Sequence, residues 1–256
     1  MVIVEAALSL SAPQSRGSST HRLLWELAVL VAAAVSIAAA AQAPPAPPQA
    51  PAAPQPRFVV VLDAAHGGDD DPGGHLDTQA EKAYTLALSV KLRSLLNARG
   101  IQVVTTRESD ANVDTNRRAE IANHANAQAC LSLHASQTGS GVHLFASSLP
   151  PAPPPRFPAW RTGQSAFITR SLAMAGILNS ALQHAGIAVT LGRTAMPAVD
   201  SMTCPAIAIE IAPDRATDHA AGSAAKASLD DPVYQARVAE AIAAAMLEWK
   251  TEVRQP

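Results

Sequence analysis

The 256-residue sequence contains no dense run of lysine or arginine, and its formal net charge is −2. Nucleic acid is therefore not an expected partner, because a polyphosphate ligand needs a concentrated basic surface. The sequence has only two cysteines, Cys130 and Cys204, and no Cys-x-x-Cys spacing, so cysteines alone cannot build a metal site. We expect both cysteines to be buried free thiols. A disulfide is the alternative, because export would place both in an oxidising compartment.

The first 56 residues have the composition of an export segment and a spacer. Residues 21–43 read HRLLWELAVLVAAAVSIAAAAQA, and the stretch from Leu27 to Ala41 carries no charge. That length is typical of a signal peptide and shorter than the roughly 20 apolar residues of a membrane span. We therefore expect residues 1–43 to be a signal peptide behind a leader, with an uncleaved N-terminal anchor or a buried helix as the alternatives.

Proline marks two further segments. Residues 44–56 hold seven of the twenty prolines and no charge, which predicts an extended linker. A single folded domain is expected at 57–253, and its length of about 195 residues is enough for one core. The second cluster, residues 149–160, predicts a surface loop. Its alternative role is one wall of a binding groove, because it carries Phe157 and Trp160.

Short apolar runs alternate with helical patterns along this domain. Runs that are apolar on both faces indicate strands in a sheet covered on both sides. We predict an α/β fold of three layers, with a mainly parallel or mixed twisted sheet between helices. The predicted strands are 58–63, 101–106, 130–135, 142–147 and 205–212, and the predicted helices are 79–99, 114–127, 164–184 and 231–250.

Two imidazoles and two carboxylates are expected at the carboxyl edge of this sheet, where open α/β sheets bind ligands. His66, His134 and Glu210 follow or end predicted strands, and Glu81 falls in the first turn of the helix after His66. Three such groups suit a catalytic zinc site, and a fourth can act as the base. Glu81 could instead complement its helix dipole, and His66 could be an ordinary loop residue. Glu210 is harder to explain structurally, because a carboxylate in an apolar strand is costly unless it is paired or functional.

Several motifs resemble one known family. VLDAAHGGDDDPGG, EKAYTLAL, NRRAEIAN, LSLHAS, GVHLF and PAIAIEIA occur in the order found in zinc-dependent N-acetylmuramoyl-L-alanine amidases of the amidase type 3 family, over about residues 57–250. The resemblance implies that His66, Glu81 and His134 bind Zn²⁺ and that Glu210 is the catalytic glutamate. It also implies hydrolysis of the amide bond between N-acetylmuramic acid and L-alanine of the peptidoglycan stem peptide.

An exported enzyme in the periplasm or cell envelope follows from that substrate. No second wall-binding repeat is visible, so targeting would depend on an N-terminal membrane tether, on the groove or on an unknown regulatory partner. Two alternatives remain. The first is a non-catalytic module that keeps the same fold and either binds the cell wall or regulates amidases. The second is a zinc exopeptidase that acts on free peptides.

The chain departs from the family pattern at several positions. Ala64 and Ala65 replace a proline and a glycine, Ser136 replaces an asparagine, and the segment after Glu210 reads IAPDRATDHAAG. The last change puts substrate binding in doubt more than the hydrolytic reaction itself. Arg117 and Arg118 match an arginine that the family has on a helix. The simpler explanation for these two arginines is surface charge or packing. His75, His143 and His219 are spare histidines, of which only His75 is considered as a replacement ligand.

Overall fold

The computed structural model describes residues 57–154, 161–215 and 227–254. Strands and helices alternate along most of this chain. In order they are β1 (Val59–Ala64), α1 (Glu81–Ala98), β2 (Gln102–Thr105), α2 (Thr115–His124), β3 (Ala129–Ala135), β4 (Val142–Ser147), a 3₁₀ turn (Gly163–Ala166), α3 (Ile168–His184), β5 (Val189–Thr194), α4 (Pro197–Asp200), β6 (Ala206–Ile211) and α5 (Pro232–Arg254).

Within these ranges six strands form one sheet in the order β2-β1-β3-β6-β4-β5. All neighbours are parallel except β4 and β6, which run antiparallel. The predicted α/β class with a mixed sheet is therefore confirmed. The sequence did not predict β5 or α4. β5 is an edge strand with Gly192 and Arg193 in its middle, and largely exposed residues give it no apolar signal.

One face of the sheet is covered over β1, β3, β4 and β6. Apolar residues of β1, β3, β4 and β6 pack on this face with the buried sides of α1, α3 and α5 in a single large core. Leu62, Leu131 and Ile207 are completely buried there. Because β1, β3 and β6 are buried in this way, their carboxyl ends are fixed relative to one another.

The opposite face carries a smaller core under α2 and α4, which includes Cys130 and Cys204. These cysteines form a disulfide, so the expectation of free thiols was wrong. Cys130 lies in β3 and Cys204 directly precedes β6, its neighbour in the sheet. Their Cα atoms are 6.1 Å apart, a separation that suits a disulfide. The bond ties together the strands that carry His134 and Glu210.

Several predictions concern residues outside the described ranges. The export segment at 1–43, the linker at 44–56, Phe157, Trp160 and His219 all lie there. In the part of the chain that the structure describes, none of the helices has the length and hydropathy needed to cross a membrane.

Candidate metal centre

The structure brings three of the predicted site residues together at the carboxyl edge of the sheet. One potential ligand atom each from His66, Glu81 and His134 lies within 4.8 Å of the other two. Glu81 sits between the imidazoles, with Oε2 3.3 Å from His66 Nε2 and Oε1 3.1 Å from His134 Nδ1. Two imidazole nitrogens and a carboxylate around one point fit zinc, which in catalytic sites takes three such donors and keeps a fourth position open.

The loop after β1 orients His66. His66 itself adopts a left-handed backbone conformation with φ 62°, and its Nδ1 lies 2.6 Å from Asp71 Oδ1. Gly73, with φ 70°, is required by this packing, because a Cβ there would lie 2.6 Å from the His66 ring and 2.9 Å from Glu81 Cβ. Since Asp71 holds Nδ1, the other ring nitrogen of His66 is turned toward Glu81.

Glu81 is buried at the start of α1 and is held by the backbone. Its carboxylate accepts hydrogen bonds from the N–H groups of Gly74, at 2.9 Å, and Ala135, at 3.1 Å. Burial alone would raise the pKa of Glu81, but hydrogen bonds with His134 and His66 and from these two N–H groups outweigh burial and hold that pKa well below its usual range. Glu81 is therefore ionised, as a metal ligand must be.

His66 responds to the same carboxylate. Its hydrogen bond with Glu81 is the largest cause of a pKa raised to about 9, against the opposing effect of burial and with a further contribution from Asp71. Without a bound cation, a proton on His66 compensates the negative charge of Glu81 and Asp71. This electrostatic environment favours positive charge at the point where the three side chains meet.

His134 is connected to a buried ion pair. Its Nε2 lies 3.4 Å from Ser132 Oγ, and Ser132 Oγ donates to Asp63 Oδ2 at 2.8 Å. Asp63 Oδ1 in turn accepts from Arg118 Nη1 at 2.7 Å and from Thr106 Oγ1 at 2.8 Å. Hydrogen bonds behind a metal-binding histidine fix the orientation of its ring, and this chain of contacts supplies them.

Two buried arginines hold the backbone of the His66 loop. Arg118 donates to the carbonyl oxygens of Ala64, at 2.6 Å, and His66, at 2.8 Å. Arg107 donates to the carbonyl oxygens of Ala64 and Ala65. Arg118 therefore has a structural position behind the site. Arg117 is exposed and pairs with Glu120 in its own helix.

Glu210 lies beside this cluster. It is in register with His134 on β3, and partners in register on adjacent strands direct their side chains to the same face of the sheet. The carboxylate is partly exposed, and among the described residues it forms no ion pair or hydrogen bond with a neighbouring side chain. A carboxylate next to the cluster, without a side-chain partner among the described residues, is available to act on a substrate or a water molecule.

Two of the other histidines, His75 and His143, differ in their position relative to the cluster. His75 is exposed and outside the cluster, so its use as a replacement ligand is not supported. His143, considered spare from the sequence, lies in register with Glu210 on the opposite side from His134. Sequence reasoning also missed Asp71 as the partner of His66. The run of three aspartates directly after the loop was the available signal.

Comparison with known proteins agrees with these observations. AmiA of Escherichia coli, an N-acetylmuramoyl-L-alanine amidase, is 35% identical over a match that spans 35% of this chain and 32% of AmiA. The germination-specific N-acetylmuramoyl-L-alanine amidase of Bacillus subtilis is 32% identical, with 34% of this chain and 44% of that protein matched. The matches thus span less than half the length of either relative.

Solved structures share the fold. The catalytic domain of CwlV, an N-acetylmuramoyl-L-alanine amidase from Bacillus (Paenibacillus) polymyxa var. colistinus, aligns with a TM-score of 0.55. The alignment covers 76% of this chain and 98% of that one at 23% identity, which establishes the fold alone. The family model described as N-acetylmuramoyl-L-alanine amidase, of the amidase type 3 group, matches residues 60–248. The chain belongs to the amidase type 3 family of N-acetylmuramoyl-L-alanine amidases.

Proposed function

We propose that this protein is a zinc-dependent hydrolase that cleaves the amide bond between N-acetylmuramic acid and L-alanine in peptidoglycan. The observation that carries the proposal is the cluster of His66, Glu81 and His134, with Glu210 in register beside it. The named activity of the relatives supplies the substrate class.

In this proposal His66, through Nε2, Glu81 and His134, through Nδ1, hold the metal. Zinc in such a site supplies Lewis acidity for a carbonyl oxygen and acidifies water. Asp71 and the Ser132–Asp63 pair keep the two imidazole rings in the orientation that their ligand atoms need. The Glu81 carboxylate stays ionised, because two backbone N–H groups donate hydrogen bonds to it and stabilise its negative charge.

Glu210 is the proton-transfer residue. As a general base it accepts the proton of the attacking water, and as a general acid it returns that proton to the nitrogen of the departing L-alanine. The carboxylate suits this role because no neighbouring side chain of the described chain occupies its oxygens. Three other groups already provide a complete ligand set, so a fourth ligand is not needed.

Peptidoglycan as substrate implies that the protein acts outside the cytoplasmic membrane. This agrees with the export segment expected at residues 1–43, which could be cleaved in the periplasm or retained as an anchor. Two alternatives need a direct test. A non-catalytic wall-binding module is motivated by the unusual residues after Glu210, and a zinc exopeptidase would use the same donor set on free peptides.

The test is mass analysis of muropeptides after digestion with and without a chelator. We expect release of stem peptides that begin with L-alanine, loss of that release with chelator, and recovery with added Zn²⁺. Metal-loaded protein that releases nothing would support the non-catalytic alternative. Cleavage of soluble peptides that lack muramic acid, with intact muropeptides left uncut, would support the exopeptidase.

Two variants separate metal binding from proton transfer. Glu81→Ala should lose zinc and activity together. Glu210→Ala should keep zinc and folding while hydrolysis falls roughly 10²-fold or more, as expected for removal of a general base. If Glu210→Ala loses its metal, or retains near-normal turnover when fully metallated, the assignment of Glu210 is wrong.

A further inference from the structure

The connection between β3 and β4 crosses the carboxyl end of β6, because β6 lies between those two strands in the sheet. Backbone hydrogen bonds fix the crossing at both of its ends. The N–H of Ser136 donates to the carbonyl oxygen of Ile211 at 2.9 Å, just after β3 ends. The N–H of Gly141 donates to the carbonyl oxygen of Pro213 at 3.1 Å, just before β4 begins. The residues that follow Glu210 are therefore held against this connection, at the edge of the sheet where the metal centre lies.

Arg215, five residues after Glu210, is anchored to the same connection. Its backbone N–H donates to Ser140 Oγ at 2.9 Å, and its Nη2 donates to the carbonyl oxygen of Gln137 at 2.7 Å. A guanidinium has five N–H donors, and the contact with Gln137 uses one of them. The residue is exposed. Its position is therefore defined, while donors remain that a ligand can reach from solvent.

The residue before Arg215 sets the direction of its side chain. Asp214 is 1% exposed, forms an isolated β-bridge and pairs with Arg237 of α5 at 3.2 Å. α5 packs on the face of the sheet that carries the large core. Because successive side chains of an extended segment point to opposite sides, Arg215 is directed away from α5. The side chains of His134 and Glu210 also lie on the face opposite α5.

The guanidinium lies within the length of a short peptide from the metal centre. Gln137 follows His134 by three residues, and a residue spans at most about 3.3–3.6 Å, so the two backbones are no more than about 10 Å apart. Two or three residues of an extended peptide cover the same distance. When the first nitrogen of a peptide lies at Glu210, a group on its second or third residue can therefore reach Arg215.

The charge differs between the two sides of the metal centre. On the β1 side, the loop after His66 carries three consecutive carboxylates, Asp69, Asp70 and Asp71. On the β6 side, Arg215 places a positive charge beside the β3–β4 connection. An anionic group of a substrate is repelled on the first side and attracted on the second. The planar guanidinium matches a carboxylate in particular, because two of its N–H groups can donate to the two oxygens together.

We propose that Arg215 is a specificity-determining residue that binds a carboxylate of the stem peptide on the second or third residue, beyond L-alanine. This inference rests on the proposed function, which places the departing nitrogen at Glu210 and directs the leaving peptide across the β3–β4 connection. Arg215 belongs to the segment in which the chain departs from the family pattern. The contact with the carboxylate thus gives this unusual segment a role in substrate binding.

The kinetic experiment uses two pairs of muramoyl tripeptides. The members of one pair differ only in a carboxylate or a carboxamide on the second residue, and the other pair has the same difference on the third residue. In at least one pair we expect the wild type to prefer the carboxylate by about 5- to 10-fold in kcat/KM, mainly through KM, the scale of one hydrogen bond to a charged group in partial solvent. Added salt should reduce this preference.

Arg215→Gln should abolish the preference and leave kcat/KM for the carboxamide substrates near that of the wild type. Arg215→Lys should keep part of it, because lysine retains the charge and loses the planar pair of donors. Arg193→Gln is the matched control, since Arg193 also donates to backbone carbonyl oxygens, those of Ser147 and Leu149, but at the opposite edge of the sheet from Glu210. This control should keep the wild-type preference.

Three kinetic results would overturn the inference and leave the proposed function intact. The first is a wild type that cleaves both members of both pairs equally well. The second is an unchanged preference in Arg215→Gln. The third is an equal loss in Arg215→Gln for carboxylate and carboxamide substrates, because that result indicates a general structural effect.

A second readout does not need activity. The unlinked tripeptides that begin with L-alanine, in carboxylate and carboxamide forms, are titrated into chelator-treated protein by calorimetry. Tighter binding of a carboxylate form by the wild type, and loss of that difference in Arg215→Gln, support the inference. Equal binding of the two forms, or no binding of either, overturns it. If the wild type hydrolyses none of the muramoyl substrates, the proposed function fails and this titration alone decides the role of Arg215.

Discussion

The two sides of the candidate site are built differently. On the β1 side, His66 donates to Asp71, Glu81 accepts from the backbone, and two buried arginines donate to carbonyl oxygens of the His66 loop. On the β6 and β4 side, Glu210 has no side-chain partner in the described chain, and the neighbouring His143 bonds to Thr190 on β5. The first side is organised before anything binds, as a metal site requires. The second leaves the Glu210 carboxylate without a side-chain partner among the described residues, so its oxygens are available for a substrate.

This difference leads to distinct expectations for mutation. Changes on the β1 side should reduce folding stability and metal affinity, because the groups there support one another. Changes on the β6 and β4 side should reduce activity at little cost in stability. The predictions below test that separation in order of decreasing effect.

The largest effect is expected from Arg118→Met. Arg118 is 4% exposed and Asp63 2% exposed, so the substitution leaves a buried carboxylate without its cationic partner and frees the His66 carbonyl. Breaking a buried pair in this way costs about 3–5 kcal/mol of unfolding free energy. Urea denaturation of chelator-treated protein measures it. Arg117→Met is the matched control, because its exposed pair with Glu120 should contribute no more than about 1 kcal/mol. Similar losses in both variants would show that the buried network does not stabilise this side.

The next largest effect is expected from removing the disulfide that connects β3 to the start of β6. The Cys130–Cys204 disulfide closes a 74-residue separation and connects β3 to the start of β6. Replacing both cysteines with alanine should lower the unfolding free energy by about 2–4 kcal/mol. Zinc content and activity of the folded variant should remain near wild type, because neither cysteine reaches the site. Reduced and oxidised wild-type protein provide a second comparison. Equal unfolding midpoints for these two forms would contradict the prediction.

A smaller and more local effect is expected from Asp71→Asn. Asp71 is exposed enough, at 47% of its side chain, that its loss should not disturb folding. The variant loses the carboxylate that orients His66, and loss of such a partner costs about 10- to 100-fold in metal affinity. Competition with a chromogenic chelator measures the affinity. Asp70→Asn, next in the chain and exposed, is the control and should bind zinc as wild type does. Equal affinities for the two variants would remove Asp71 from the site.

The sequence located the residues of the site better than it located their surroundings. His66, Glu81, His134 and Glu210 were recognisable because each stands at the end of a strand or the start of a helix, where the residue order alone gives its approximate place. Their grouping agrees with the prediction, and their roles remain predictions. The fold class followed from the alternation of apolar runs and helical patterns.

The missed features depend on pairing between distant strands. His143 could not be placed beside Glu210 from the sequence, because that neighbour relation arises from the antiparallel register of β4 and β6. The disulfide depends on the adjacency of β3 and β6 in the same way. β5 was not predicted because an exposed edge strand has no apolar pattern in its sequence.

The smallest predicted effect has the opposite sign from the others. Glu210 is a carboxylate on an otherwise buried strand, and no described side chain forms an ion pair with it. Residues kept for function at such positions commonly reduce stability, so Glu210→Gln should leave the unfolding free energy unchanged or raise it by about 0.5–1 kcal/mol. Urea denaturation with and without chelator measures the change. Glu252→Gln, an exposed glutamate near the end of α5, should change it by less than about 0.5 kcal/mol. A loss of more than 1 kcal/mol in Glu210→Gln would mean that Glu210 supports the fold, and the contrast between the two sides of the site would not hold.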